Sequence, residues 1–341
     1  MLSSLLTELK RFMNSDENFN IISPKDIKTR ELIGLLKRYP FKYPQQYNLV
    51  SESTIIKYHQ RKICQLTLNK KLAWAIAIRE KDKLIGLAIL EKLPWETEYF
   101  KIGMAKVSYL LCCASRLQEE YKIKFELFRQ ISKLSSRIGI KHLCFETDVR
   151  DLTAIHAAES NGFKLMVTQL IYVRNKENLI EIGKLGSSYI IRPFRKEDIS
   201  QILKIAMESK AISRFHADER LPEKKRRAYY KVKTKNCCLG NIADGVFVLE
   251  KNKHVIGFYI FRYYKEIKKL TMGYVVSVAL ASEAQGRGIG TAFVREVDKR
   301  LLSKVDILTG KAHIANIPMI RAMNKANAEI IYAIHTFHKW I

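Results

Sequence analysis

The second half of the chain changes its apolar period in a regular order. A short strand, YIIRPF, leads into ISQILKIAMES, whose apolar positions recur at helical spacing. A polar stretch, AISRFHADERLPEKKRRAYYKVKTKN, reads as a loop and a helix. The alternating runs GVFVLE and VIGFYIFRYY then form a hairpin around Lys251-Asn252-Lys253. The strand YVVSVAL is followed by a helix from about Thr291 to Ser303 with Phe293, Val294, Val297 and Leu301 on one face. A strand near VDILTGKAH, a helix from about Pro318 and a last strand, EIIYAIHTFHKWI, complete the series.

The first half repeats that order. LAWAIAIRE and LIGLAILEKL form a hairpin around Lys81-Asp82-Lys83, AKVSYLLCC is a strand, and KFELFRQISKLSSRI is a helix. HLCFETDV is a strand, TAIHAAESN a short helix ended by Gly162, and FKLMVTQLIYV a final strand. Two copies of one α/β unit, each a mixed sheet with helices, account for this pattern. The Gly- and Ser-containing stretch ENLIEIGKLGSS separates them. The expected domains are 1–182 and 189–341, joined by a linker at 183–188.

Composition adds little to the fold and bounds the function. With 341 residues, 47% of them apolar, the chain has enough material for two packed cores. No apolar run reaches the roughly 18–20 residues of a membrane span, and the charged N-terminus MLSSLLTELKRFMNSDENF has no small-residue cleavage site, so no signal peptide is expected. Six cysteines, including the adjacent pairs Cys112-Cys113 and Cys237-Cys238, match no zinc spacing; no metal is expected, and reduced thiols in a cytoplasmic protein are. The formal net charge of +26 attracts anions: nucleic acid, acidic membrane surfaces or phosphorylated small molecules. The basic residues are spread along the chain, with Lys224-Lys225-Arg226-Arg227 the densest cluster, and no helix-turn-helix, zinc or aromatic-basic motif points to nucleic acid.

The two halves differ at one place. After YVVSVAL comes LASEAQGRGIGT, with Gly286, Gly288 and Gly290 at every second position; after AKVSYLLCC comes ASRLQEEYKIK, with no glycine. A turn that ends a strand and opens a helix gathers unpaired N–H groups at the positive end of the helix dipole, which suits a phosphate. The spacing is not G-x-G-x-x-G, and no lysine precedes Thr291, so neither a dinucleotide fingerprint nor a Walker loop fits.

Gln285-x-x-Gly288-x-Gly290 between a strand and a helix, with Asn316 after the next strand, resembles the acetyl-CoA pyrophosphate loop of the GNAT N-acetyltransferase superfamily. The resemblance implies tandem GNAT-like acyl-CoA N-acyltransferase domains of mixed α/β class, the first without the loop. Four further segments, LPWETEYF, ETDVRDLTAIHAAESNGFKLM, ISRFHADERLP and FHKWI, are similar in order to bacterial acyltransferases of the TDP-fucosamine acetyltransferase type. That likeness implies acetyl-CoA as co-substrate and a small-molecule amine acceptor, a nucleotide-linked amino sugar among them; a homodimer is compatible with it. The family places a general-acid tyrosine where this chain has Met323, and a Gly-Phe pair where it has Asn327-Ala328, whereas the first half keeps Gly162-Phe163.

By the same resemblance, Gln285, Gly286, Arg287, Gly288, Ile289, Gly290 and Thr291 would hold the pyrophosphate. Val278, Ala279 and Leu280 would pair with the pantetheine arm, and Asn316 would complete the donor site. Candidates for moving protons are His313, Glu283 and Tyr332, with unassisted departure of the thiolate as the alternative. Arg214, Phe215 and His216 are candidates for the acceptor, by phosphate contact and base stacking, and Trp95 and Phe100 could line the same cleft. The competing readings are a GNAT enzyme acting on a small amine, peptide or antibiotic, a non-catalytic acetyl-CoA-binding protein, and a nucleic-acid-binding module.

Overall fold

The computed structural model describes residues 19–22, 27–41, 50–68, 72–80, 83–177, 179, 185–209, 213–267 and 270–341. The N-terminal stretch read for a leader, the turn residues Lys81 and Asp82, linker positions 183 and 184, and Ile212 lie outside the described residues. Two compact units emerge. One holds Ile56–Leu165 and Phe337–Ile341 with the described residues before 42, and the other holds Met166–Thr336 with the described residues 50–55.

In the first unit, strands β1 (Phe19–Ile22), β2 (Ala73–Glu80), β3 (Lys83–Lys92), β4 (Met104–Cys112) and β5 (His142–Asp148) are neighbours in that order. All pairs are antiparallel except β4–β5. Both faces of this sheet are covered, which is why β2 and β3 are apolar at almost every position. Ala73, Ala75 and Ala77 pack with helices α1 (Thr29–Arg38) and α2 (Glu52–Leu68), through Leu32, Leu35, Leu36, Ile56 and Ile63. The alternate residues Ile76 and Ile78 pack with α4 (Leu117–Arg137) and α5 (Leu152–Ser160). A seven-residue helix, α3 (Pro94–Phe100), precedes β4.

The second unit runs β7 (Tyr189–Pro193), α6 (Ile199–Glu208), α7 (Arg214–Ala217), α8 (Glu223–Cys238), β8 (Gly245–Lys251), β9 (His254–Ile267), β10 (Leu270–Leu280), α9 (Ile289–Leu302), β11 (Ile307–His313), α10 (Ile317–Lys325) and β12 (Glu329–Trp340). Strands β7, β8, β9 and β10 are antiparallel, and β10 and β11 are parallel. Asn252 and Lys253, both at positive φ, form the two-residue turn between β8 and β9, the geometry that matches strand twist.

Strand β6 (Lys164–Asn175) ends the first half of the sequence, yet from Met166 on it belongs to the second unit, antiparallel to β11. The last five residues, Phe337–Ile341, belong to the first unit, where Phe337 is 1% exposed in its core. Each unit is thus completed by the final strand of the other half of the sequence. A buried ion pair fixes β6 in its place: Arg174 meets Asp298 of α9 at 2.5 Å, and the hydroxyl of Tyr259 on β9 donates to the same carboxylate at 2.5 Å. Burial raises the Asp298 carboxyl and the adjacent guanidinium opposes that.

From β5 onward the first series matches the second residue for residue. Strands β5 and β11 have 7 residues, helices α5 and α10 have 9, and strands β6 and β12 have 12. Asp151 caps α5 by accepting from the Ala154 N–H, and Asn316 caps α10 by accepting from the Met319 N–H at 3.2 Å. Gly162 and Asn327 both take positive φ after these helices, asparagine being the non-glycine residue that tolerates this region. Removing Arg174 leaves Asp298 buried without its cation. Arg174→Ala is expected to cost about 3–5 kcal/mol, read from urea unfolding of the whole chain.

Candidate active site

Strands β10 and β11 stay together for four residue pairs only, Met272–Val275 against Ile307–Gly310. At the next residue, Val276, a bulge interrupts the ladder between β10 and β9. Beyond it β10 continues beside β9, Val278 opposite Tyr259, Ala279 opposite Phe258 and Leu280 opposite Gly257, while β11 continues beside β6. Among the described residues no strand therefore runs along the edge of Val278, Ala279 and Leu280 that faces away from β9, and all three side chains are half-buried. This is an open backbone edge inside a sheet, and it can receive an extended ligand.

At the end of that edge the chain turns through a short 3-10 helix, Ser282–Ala284, and a loop into α9. The Gln285 side-chain amide donates to the Leu280 carbonyl at 2.9 Å and ties loop to strand. Gly286 and Gly288 both have φ of 76° and open space where a side chain would begin, so backbone can face a ligand there. A Cβ on Gly290 would stand 2.8 Å from Leu280 Cδ1; glycine lets the start of α9 lie on the strand. The loop from Gln285 to Gly288 is exposed, Ile289 and Gly290 are half-buried and Thr291 is buried. The first turn of α9 presents N–H groups without intrahelical acceptors to this space, with the helix dipole behind them.

The first unit contains the same splay: four parallel pairs, Met104–Val107 against His142–Phe145, then a bulge at Ser108. What it lacks is the space for the loop. The sequence suggests that the helix there begins near Lys124, but α4 starts two turns earlier, at Leu117. ASRLQEEYKIK contains no glycine and has strong helix formers, so it winds into helix instead of a loop. Lys124, 1% exposed, forms ion pairs with Glu120 and Asp151 at 2.6 Å each. In the matched order of residues it stands where Ile289 opens α9. That unit's own side chains provide the cation and the anions at this position.

Of the proton-moving candidates, His313 ends β11, and its Nδ1 accepts from the Ala315 N–H at 3.0 Å. The neutral ring then carries its proton on Nε2 and presents a donor, not a base, to its surroundings. Burial lowers the imidazole pKa. Glu283 is exposed on the 3-10 turn, and Tyr332 is half-buried on β12. Asn316 uses its side-chain oxygen to cap α10. Met323 is 7% exposed in the core of the second unit, so this position packs and does not line an opening.

The acceptor segment forms α7, packed against α8. Phe215 is 2% exposed, with Tyr229 at 4.5 Å between ring centroids and the Arg214 guanidinium over its ring at 4.5 Å. Its ring is enclosed by protein, so stacking on a base is not available in this geometry. The Ser213 hydroxyl lies 2.8 Å from His216 Nδ1, and Arg226 donates to the His216 carbonyl at 2.8 Å. In the first unit Phe100 is core, and Trp95 stacks on Tyr99 at 5.6 Å.

Two polar features here are not among the candidates read from the sequence. Tyr230 of α8 hydrogen-bonds Ser277, the first residue of β10 after the bulge. Tyr172, on the exchanged strand β6, lies directly opposite Gly310, where β10 and β11 part. The in-register repeat would have located Tyr172, since its counterpart is Phe337.

Residues 200–325 match the model of the acetyltransferase (GNAT) family, and the second half of the chain carries a GNAT-type acetyltransferase domain. Solved structures extend the likeness of fold to both halves. A tandem GNAT protein from the clavulanic acid biosynthesis pathway is 12% identical, covers 94% of this chain and 98% of its own, and has a TM-score of 0.54. A GCN5-related N-acetyltransferase from Sphaerobacter thermophilus is 10% identical over 95% of this chain and 96% of its own, with a TM-score of 0.58. A glucosamine N-acetyltransferase region of a fungal multi-domain β-N-acetylglucosaminidase is 10% identical, covers 94% of this chain and 38% of its own, and has a TM-score of 0.58. No curated protein matches the chain in sequence. No helix among the described residues is long and apolar enough to cross a membrane.

The lowered His313 pKa has a consequence for stability. As pH falls below about 6.5, the unfolded state takes up this proton before the folded state does, so stability declines toward acid. His313→Gln is expected to flatten that acid limb, seen as a smaller loss of melting temperature between pH 7.5 and 5.5 than in the wild type.

Proposed function

We propose that the chain transfers the acetyl group of acetyl-CoA to a primary amine by direct attack, and that the second unit binds the donor. The observation that carries this reading is the open edge of β10 running into the loop from Gln285 to Thr291. The loop N–H groups and the α9 dipole suit the pyrophosphate. The free edge at Val278, Ala279 and Leu280 suits the amide-bearing pantetheine arm, and an N–H of that edge can polarise the thioester carbonyl. Asn316 then acts by fixing the start of α10.

The acceptor we assign is an amino sugar, nucleotide-linked in the manner of the TDP-fucosamine acetyltransferases. The four segments that resemble those enzymes support it, and the fungal neighbour described as a glucosamine N-acetyltransferase region has the same fold. Arg214 and His216, beside α8, are the polar residues of the acceptor segment; the ring of Phe215 serves to seat them. The loss of tyrosine at Met323 favours a second reading, a protein that binds acetyl-CoA without turning it over.

Thiol release from acetyl-CoA in the presence of TDP- and UDP-amino sugars, compared with simple amines and peptides, separates these readings. Release with the nucleotide sugars alone supports the assignment. Release only with simple amines removes the sugar, and tight donor binding with no release on any amine supports the second reading. Calorimetry is expected to give one acetyl-CoA per chain, because Lys124 and the first turns of α4 occupy the matching position in the first unit. Gly288→Glu places a carboxylate in the loop and is expected to weaken acetyl-CoA at least about tenfold without lowering the melting temperature by more than a few degrees. Unchanged affinity would remove the loop from the donor site.

A further inference from the structure

The strand that leaves the splay of the second unit carries a hydroxyl at its first free position. Val275 is the last residue of β10 paired with β11, Val276 is the bulge, and Ser277 is the first residue beyond both. The Ser277 hydroxyl meets the Tyr230 hydroxyl of α8. Ser277 is half-buried and directly precedes the open edge of Val278, Ala279 and Leu280. A phenol is the stronger acid of the two hydroxyls and the poorer acceptor, so Tyr230 donates and Ser277 accepts. Burial raises the Tyr230 phenol above its ordinary value, which keeps that proton in place through neutral pH. With one lone pair engaged, the Ser277 oxygen keeps a second for another donor.

The same length of α8 holds the acceptor segment. Tyr229, next to Tyr230, packs on Phe215 of α7 with ring centroids 4.5 Å apart, and Arg226, one turn earlier, donates to the His216 carbonyl at 2.8 Å. Adjacent residues of a helix point about 100° apart, so Tyr229 reaches α7 while Tyr230 reaches the apex of the splay. The donor geometry brings the reacting carbon to that apex too. With the pyrophosphate at the loop after Leu280 and the pantetheine arm along Leu280, Ala279 and Val278, the thioester ends beside Ser277. The first unit has an equivalent tie made of other groups. Tyr109 is the first residue after its bulge, and the Tyr109 hydroxyl lies 3.0 Å from His59 Nδ1 of α2. Tying helix to strand therefore does not call for a serine. The small accepting hydroxyl stands in the unit that carries the glycine loop.

We infer that Ser277 is a further catalytic residue, whose hydroxyl oxygen accepts an N–H of the attacking amine and aims the nitrogen lone pair at the thioester carbon. Tyr230 is the positioning residue that holds this oxygen. The inference rests on the acetyl-transfer reading above. A neutral primary amine has two N–H bonds and one lone pair. A hydrogen bond from one N–H to a fixed oxygen orients the lone pair without consuming it, which is the contribution of a positioned reactant. Ser277 acts here as an acceptor and not as a base, so no proton is transferred to it. Through α8, the oxygen that receives the amine and the polar residues of the acceptor segment, Arg214 and His216, are fixed to one element.

Ser277→Ala, Ser277→Thr and Tyr230→Phe in the full chain test this. The probe is whichever amine releases thiol fastest among TDP- and UDP-amino sugars, simple amines and peptides. Ser277→Ala is expected to lower kcat/KM for that amine about tenfold, the worth of one hydrogen bond, with the calorimetric affinity for acetyl-CoA unchanged. Ser277→Thr keeps a hydroxyl and is expected to recover most of the rate. Tyr230→Phe leaves Ser277 in place and is expected to cost about threefold. A tie that only holds helix to strand gives another pattern, because either substitution breaks it equally. Equal losses in Ser277→Ala and Tyr230→Phe, or no loss in Ser277→Ala, overturn the role of Ser277 and leave the acetyl transfer standing. A tenfold fall in acetyl-CoA affinity in Ser277→Ala places the hydroxyl on the donor and overturns it as well. A wild-type protein that binds no acetyl-CoA, or releases no thiol with any amine, overturns the transfer reading and the role of Ser277 with it.

Discussion

The second unit is organised by the parting of β10 and β11 after the pair Val275–Gly310. A sheet normally consumes every backbone donor and acceptor along its strands. Here a one-residue bulge at Val276 turns β10 out of register, and the two strands then follow different neighbours. The exposed edge is stable because both strands remain paired on their other side. Everything that suits a pantetheine-like ligand follows from this: an extended edge, a glycine loop at its end, and a helix aimed at the same space. The loop itself would hold an anion weakly without the edge to align the rest of the molecule.

The two units show how one scaffold can keep or lose such a site. Both have four parallel pairs and a bulge at the same place. In the first unit the helix after the splay extends back through the loop position, and Lys124 joins Glu120 and Asp151 in a buried network. A buried cation is tolerable only when paired in this way, so the network also commits that unit to its filled state. Four phenylalanines close the space around the splay. In the second unit the glycine loop leaves donors unpaired.

The exchange of final strands binds the chain into one product. Strand β6 reaches the second unit with Arg174 inserted beside Asp298, and Phe337 closes the core of the first. Neither half of the sequence has a complete sheet by itself. Residues far apart in the chain, such as Tyr172 and Gly310, become neighbours only through this exchange.

Period and spacing along the chain determined most of the order of strands and helices after Ala73, the doubling of the unit and the position of the loop, but not β1, α1, α2 or α3. These are local properties: alternation and helical spacing depend on near neighbours, and glycines at 286, 288 and 290 constrain their own backbone. The resemblance carried by Gln285 to Gly290 rests on the same local run of residues. Tertiary structure decided what had no local signature. That Lys124 is buried depends on its finding Asp151, 27 residues away. That His313 presents a donor depends on the turn at Ala315, and that Phe215 is enclosed depends on α8. Strand exchange was the least legible, because a final strand of the right pattern fits either sheet and only a partner such as Asp298 distinguishes them.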